Sequence, residues 1–124
     1  MATVLVIDDE TPIVDLLADI VAEKGHLPIC ANNGATGLAL AREVRPSLII
    51  SDVMMPLLDG YALLRALRSE PELANTAVVL ISAGFPRGVQ LQIDPPADAY
   101  IRKPFDVSAV EAVLDQLVYD EQLA

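Results

Sequence analysis

Short runs of β-branched and aliphatic side chains recur along this chain, each stopping at a polar residue and each followed by helix-periodic sequence. No other feature narrows the fold as much. Residues 3–7 (Thr-Val-Leu-Val-Ile), 48–50 (Leu-Ile-Ile) and 77–81 (Ala-Val-Val-Leu-Ile) lack the apolar–polar alternation of a half-exposed strand, so they read as strands covered on both faces. Strands of that kind run parallel and need crossover connections, and the intervening sequence supplies helices to make them.

Asp8-Asp9-Glu10 follows the first run, then Thr11 as a helix cap with Pro12 at the first helical position, where a missing N–H costs nothing. Ile13, Leu16, Leu17, Ile20 and Val21 form the apolar stripe of that helix, with Asp15, Asp19 and Glu23 outside it. Residues 27–31 make a second strand, which Pro28 places at an edge because it removes a ladder donor. Asn32-Asn33-Gly34 turns into a helix over 35–44 with Leu38, Ala41 and Val44 inward, stopped by Arg45-Pro46. Asp59-Gly60 caps a third helix with Tyr61, Leu64 and Leu67 inward and Arg65 and Arg68 in water. Residues 99–102 form a short fifth strand, and Asp106 or Ser108 caps a last helix with Val110, Val113, Leu114 and Leu117 at core spacing. Between Gly84 and Ala97 the pattern fails: Pro86, Gly88, Pro95 and Pro96 predict an irregular or mobile segment over 85–96, with a degenerate fourth helix. Residues 119–124 read as a frayed helix end, His26 as a solvated turn residue, Cys30 as a small core residue, and Phe85 and Phe105 as packing.

These elements predict one α/β domain over residues 1–124, a doubly wound parallel sheet with helices on both faces. A formal net charge of -10 repels phosphate backbones, so direct nucleic-acid binding is not expected. No apolar run approaches the ~20 residues of a membrane helix. The start has no basic leader-like segment, and one cysteine excludes an internal disulfide, so a cytoplasmic location is the expectation.

The polar residues that end the strands share one sheet edge. Asp8 and Asp9 follow strand one, Asp52 ends strand three, Ser82 strand four and Lys103 strand five. With the common order 2-1-3-4-5, the crevice at the switch point lies between strands one and three, where Asp8, Asp9 and Asp52 meet. Asp52 at the mouth of a buried run needs compensation, because an unpaired carboxylate beside a low-dielectric core is costly. A hard cation with oxygen ligands and retained waters, Mg²⁺ before Ca²⁺, would join the three carboxylates, and a main-chain carbonyl near Met54 offers another oxygen. Lys103 adds a positive charge, expected on the far side, and Ser82 a hydroxyl donor. Such a site suits a phosphoryl group on a carboxylate: transfer needs in-line positioning and charge neutralisation, and a carboxylate nucleophile yields an acyl phosphate.

Asp8-Asp9, then Asp52-Val53-Met54-Met55-Pro56 with Asp59-Gly60, then Ser82-Ala83, then Tyr100 with Lys103-Pro104-Phe105, occur in that order at strand ends. On these residues almost the whole chain resembles the receiver domains of two-component response regulators, of the stand-alone chemotaxis-regulator kind. The resemblance implies a flavodoxin-like (βα)5 fold and Mg²⁺ at Asp8, Asp9, Asp52 and the carbonyl of Met54. It implies that Asp52 accepts phosphate from a phosphohistidine of a sensor histidine kinase or histidine phosphotransfer protein. It also implies switch roles for Ser82 and Tyr100, phosphate contact by Lys103, and a downstream protein target. With no output domain in the sequence, a single-domain regulator acting by protein contact is expected; it assists its own phosphorylation and dephosphorylation but is not a turnover enzyme. The chain departs from the family at Pro95-Pro96-Ala97-Asp98, where the family has a Gly-Ala-Asp turn after a regular helix.

Other readings use the same residues. A pseudo-receiver would keep the fold as an interaction module independent of phosphorylation. A small hydrolase with an aspartate nucleophile would carry a second aspartate two residues on, where Met54 stands. Taken singly, Asp8-Asp9 could serve only as helix caps, Ser82 as a polar strand end and Tyr100 as a core aromatic. Met54, Met55, Leu57 and Leu58 read equally as a contact patch or as loop packing.

Overall fold

Alternating side chains on each central strand feed two separate cores, one on either face of the sheet. The computed structural model describes residues 1–84 and 96–118. Its elements run β1(Thr3–Ile7), α1(Thr11–Glu23), β2(Leu27–Ala31), α2(Gly34–Val44), β3(Leu48–Asp52), α3(Gly60–Ser69), β4(Ala77–Ser82), β5(Ala99–Arg102) and α4(Val107–Leu117). All strand pairings are parallel and the order is β2-β1-β3-β4-β5, the flavodoxin-like arrangement. Leu5, Ile7, Ile49, Val78 and Leu80 point to the core shared with Leu63, Leu64 and Leu67 of α3 and Ala41 of α2. Val4, Val6, Leu48, Ile50, Val79 and Ile81 point to the opposite core, with Leu17 and Val21 of α1 and Val110 and Leu114 of α4. Each such aliphatic side chain contributes roughly 1.5–3 kcal/mol when fully buried. That explains the uninterrupted apolar runs of β1, β3 and β4.

The predicted irregular stretch with its degenerate helix lies outside the described residues except for Pro96, as do Phe85 and the predicted frayed end at 119–124. Among the described residues, no helix is long and apolar enough to cross a membrane.

Several local expectations are corrected. Glu10, not Thr11, occupies the capping position of α1, and its side chain makes no cap hydrogen bond. The buried face of α1 comprises Val14, Leu17, Ile20 and Val21, while Leu16 is 39% exposed. Residues 14, 17 and 21 lie one above another on the face set against the sheet, which leaves Leu16 on the flank beside Ile13 and Phe105. Asn33 caps α2, its Oδ1 accepting from Thr36 N at 2.7 Å, and Asp59 caps α3 through Ala62 N at 2.8 Å. Leu38 and Tyr61 are half-buried beside the core rather than inside it. Cys30 is exposed, because the edge strand β2 is only partly covered. His26 is not simply solvated: its Nδ1 accepts from Ala2 N at 3.2 Å, tying the α1–β2 turn to the start of the chain.

Arg68 departs furthest from expectation. Its side chain is 15% exposed, with Nη1 donating to the carbonyls of Ala74 and Thr76 at 3.1 and 2.6 Å and Nη2 to Asp98 Oδ2 at 2.9 Å. The same Asp98 oxygen accepts from Val78 N at 2.8 Å. Carbonyls in the turn between α3 and β4 need donors once water is excluded, and one guanidinium supplies them while its apolar stem stays covered.

Candidate functional site

Strand register builds the site. Ile7 pairs with Ser51, Asp52 with Ile81, and Ser82 with Arg102. One step beyond each pairing, Asp8 comes level with Asp52, and Lys103 follows β5 beside Ser82, where Lys103 N donates to the Ser82 carbonyl at 2.9 Å. The switch point between β1 and β3 is where an open α/β sheet binds its ligands, and the acids gather there.

Asp8, Asp9 and Asp52 each present an oxygen within 4.8 Å of the others. Asp8 is fully buried and Asp52 is 5% exposed. Lys103 Nζ donates to Asp8 Oδ2 at 3.1 Å and lies 3.2 Å from Asp52 Oδ1 and 3.3 Å from Glu10 Oε2. Sequence reasoning places this lysine on the far side of Asp52; the structure puts its ammonium among the acids. Two buried carboxylates draw in the nearest cation, and a four-carbon stem from the end of β5 reaches them. Glu10 N donates to Asp8 Oδ1 at 2.9 Å, so both Asp8 oxygens are engaged.

One lysine does not balance this much negative charge. Burial pushes the Asp52 carboxyl above its ordinary range and the neighbouring Asp8 charge adds to that, with Lys103 pulling back only in part. Asp8 is raised as well, chiefly by burial, against the Glu10 N–H and Lys103. Burial alone would lower Lys103, but the hydrogen bond to Asp8 and the charges of Asp52 and Asp8 outweigh it and hold the ammonium above the usual lysine value. The site is therefore short of positive charge. Its donor set is hard carboxylate oxygen, which fits a hard divalent cation.

These residues border a cleft of about 280 Å³ lined by Asp9, Glu10, Asp52, Met54, Ala83 and Lys103. Ser82 is buried at the end of β4, its Oγ accepting from Gly84 N at 3.2 Å. Tyr100 is not brought to the cleft: it pairs with Leu80 and packs on the first core, with its hydroxyl accepting from Ala97 N at 3.1 Å. The supposed Met-Leu patch divides, since Met55 is buried and Leu58 half-buried while Met54 and Leu57 are exposed. Glu10 is the site residue that sequence reasoning missed. It stood visible as the third acid of Asp8-Asp9-Glu10, but nothing local pointed it at a lysine 93 residues away.

The sequence profile of the response regulator receiver domain matches residues 4–115. The "Probable transcriptional regulator ycf27" of Porphyra purpurea is 37% identical over 109 residues, covering 88% of this chain and 44% of that protein. The chain spans about half the length of the first curated relatives it matches. Among solved structures, the chemotaxis protein CheY4 of Vibrio cholerae superposes with a TM-score of 0.88 at 25% identity, covering 95% of this chain and 99% of that one. The receiver domain of the Francisella response regulator 1452 gives a TM-score of 0.85 at 30% identity, covering 94% and 96%.

Proposed function

The chain belongs to the response regulator receiver family, and from that premise we propose that it is a Mg²⁺-dependent phosphoacceptor with Asp52 as the phosphorylated residue. The observation that carries this reading is the position of Asp52: 5% exposed at a strand end, 3.2 Å from Lys103 and grouped with two further carboxylates. A carboxylate oxygen of Asp52 attacks phosphorus as the P–N bond of a phosphohistidine breaks, and the imidazole leaves with the electron pair and takes up a proton. Lys103, already beside the nucleophile, turns a donor to the phosphoryl oxygens and neutralises charge that the transition state spreads over them. Asp8, Asp9, Asp52 and the Met54 carbonyl would hold Mg²⁺, which supplies further neutralisation of those oxygens. The Ser82 hydroxyl, one residue before the cleft-lining Ala83, is the proposed reporter of the phosphoryl group, with Tyr100 as its aromatic partner.

The phosphate donor is a sensor histidine kinase or a histidine phosphotransfer protein, and the output is contact with a downstream protein in the cytoplasm. Direct nucleic-acid binding by this domain is disfavoured by its net charge of -10. It assists its own phosphorylation and hydrolysis without being a turnover enzyme. Incubation with acetyl phosphate and Mg²⁺ should place one phosphate on the protein, absent in Asp52→Asn. Label persisting in that variant would overturn the assignment.

A further inference from the structure

Glu10 sits at the capping position of α1, yet its side chain caps nothing. Ser, Thr, Asp and Asn are the residues that bond helix N–H groups from that position. Here the longer glutamate reaches to Lys103 instead, with Oε2 3.3 Å from Nζ, while its own N–H orients Asp8. An ammonium has three donors, and Lys103 has three carboxylate neighbours: Asp8, Asp52 and Glu10. In the proposed phosphorylation, two of these change. Asp52 becomes an acyl phosphate, and Asp8 would be shared with the cation. Glu10 is left free to follow the lysine, because it is not one of the three clustered acids and its side chain is 63% exposed at the rim of the cleft.

We propose that Glu10 is a positioning residue for Lys103, tethering its ammonium at the cleft so that it faces the phosphoryl group on Asp52. This rests on the phosphoacceptor reading and adds a residue to it. Glu10→Gln keeps the size and the backbone cap but removes the charge. Loss of the tether slows phosphoryl uptake, whereas loss of a repelling charge would speed the approach of an anionic donor. The two separate with ionic strength, because salt removes a long-range repulsion more completely than it weakens a contact at 3.3 Å.

The test uses the whole protein at saturating Mg²⁺ and about 0.5 M salt. Uptake from acetyl phosphate should slow about two- to fivefold in Glu10→Gln, the scale of an exposed ion pair. In ¹⁵N-lysine NMR, the Lys103 ammonium should exchange faster with water in the variant while Lys24, paired with Asp115, is unchanged. Unchanged or faster uptake together with an unaltered Lys103 signal would overturn the tether. If the wild type takes up no phosphate, the phosphoacceptor reading fails, and the Lys103 signal still decides whether Glu10 holds the lysine.

Discussion

At Asp52 a single side chain sets the balance between stability and use. Its raised pKa and that of Asp8 mean that the native state holds protons that the unfolded chain has released, across the acid range between the ordinary carboxylate value and the raised ones. Stability therefore falls as pH rises through that window and remains lowered at pH 7. Asp52→Asn removes one of the two buried charges while leaving Lys103 with Asp8 and Glu10. It should stabilise the fold at pH 7 by on the order of 1 kcal/mol, a few degrees in Tm. The gain should shrink as the wild-type carboxyl protonates in acid. Thermal unfolding of both proteins from pH 3 to pH 8 checks this, and a lower Tm for the variant at pH 7 would contradict it. The charge that weakens the fold is the one proposed to act as the nucleophile.

Between β3 and α3 the constraint is backbone proximity. A Cβ on Gly60 would meet the Asp52 carbonyl at 2.6 Å and Val53 Cα at 2.9 Å, while Gly60 N donates to the Val53 carbonyl at 2.9 Å. The first turn of α3 is therefore packed directly on the main chain that presents Asp52. The obstructing atoms are backbone and cannot swing aside as a side chain would. Gly60→Ala should destabilise the domain by about 1–3 kcal/mol, the usual range for overpacking. It should also slow acetyl phosphate uptake more than a surface substitution such as Arg65→Ala. Urea unfolding and the labelling rate measure the two effects, and a variant equal to the wild type in both would refute the packing argument. The Asp59-Gly60 pair was legible as a helix start, but the reason for glycine was not, because Asp52 and Gly60 are brought together only by the intervening loop. Arg68 gives the same lesson: on a helical wheel it faces outward, and only the fold places the Ala74, Thr76 and Asp98 acceptors around it.

For the molecule as a whole, a cation bound at the acidic edge couples to folding, since the unfolded chain does not hold Asp8, Asp9 and Asp52 together. Mg²⁺ at about a hundred times its dissociation constant should stabilise the protein by about 2.7 kcal/mol. That appears as a rise in Tm which Asp9→Ala abolishes. A wild-type Tm indifferent to Mg²⁺ would instead favour the pseudo-receiver reading. Either outcome leaves the sheet intact, because both cores are built from aliphatic side chains and include none of the three acids.

The layered α/β architecture and the cluster of Asp8, Asp9 and Asp52 are both written locally in the chain. Uninterrupted apolar runs demand burial on both faces, crossovers demand parallel strands, and the edge at which strands end collects Asp8, Asp9, Asp52, Ser82 and Lys103. Which side of Asp52 the lysine occupies, the approach of Glu10 to it, the seat of Tyr100 on a core away from the cleft and the enclosure of Arg68 follow from the fold alone. Those outcomes depend on distances between side chains from different strands and on which charges lose their water, and neither periodicity nor spacing along the chain carries that information.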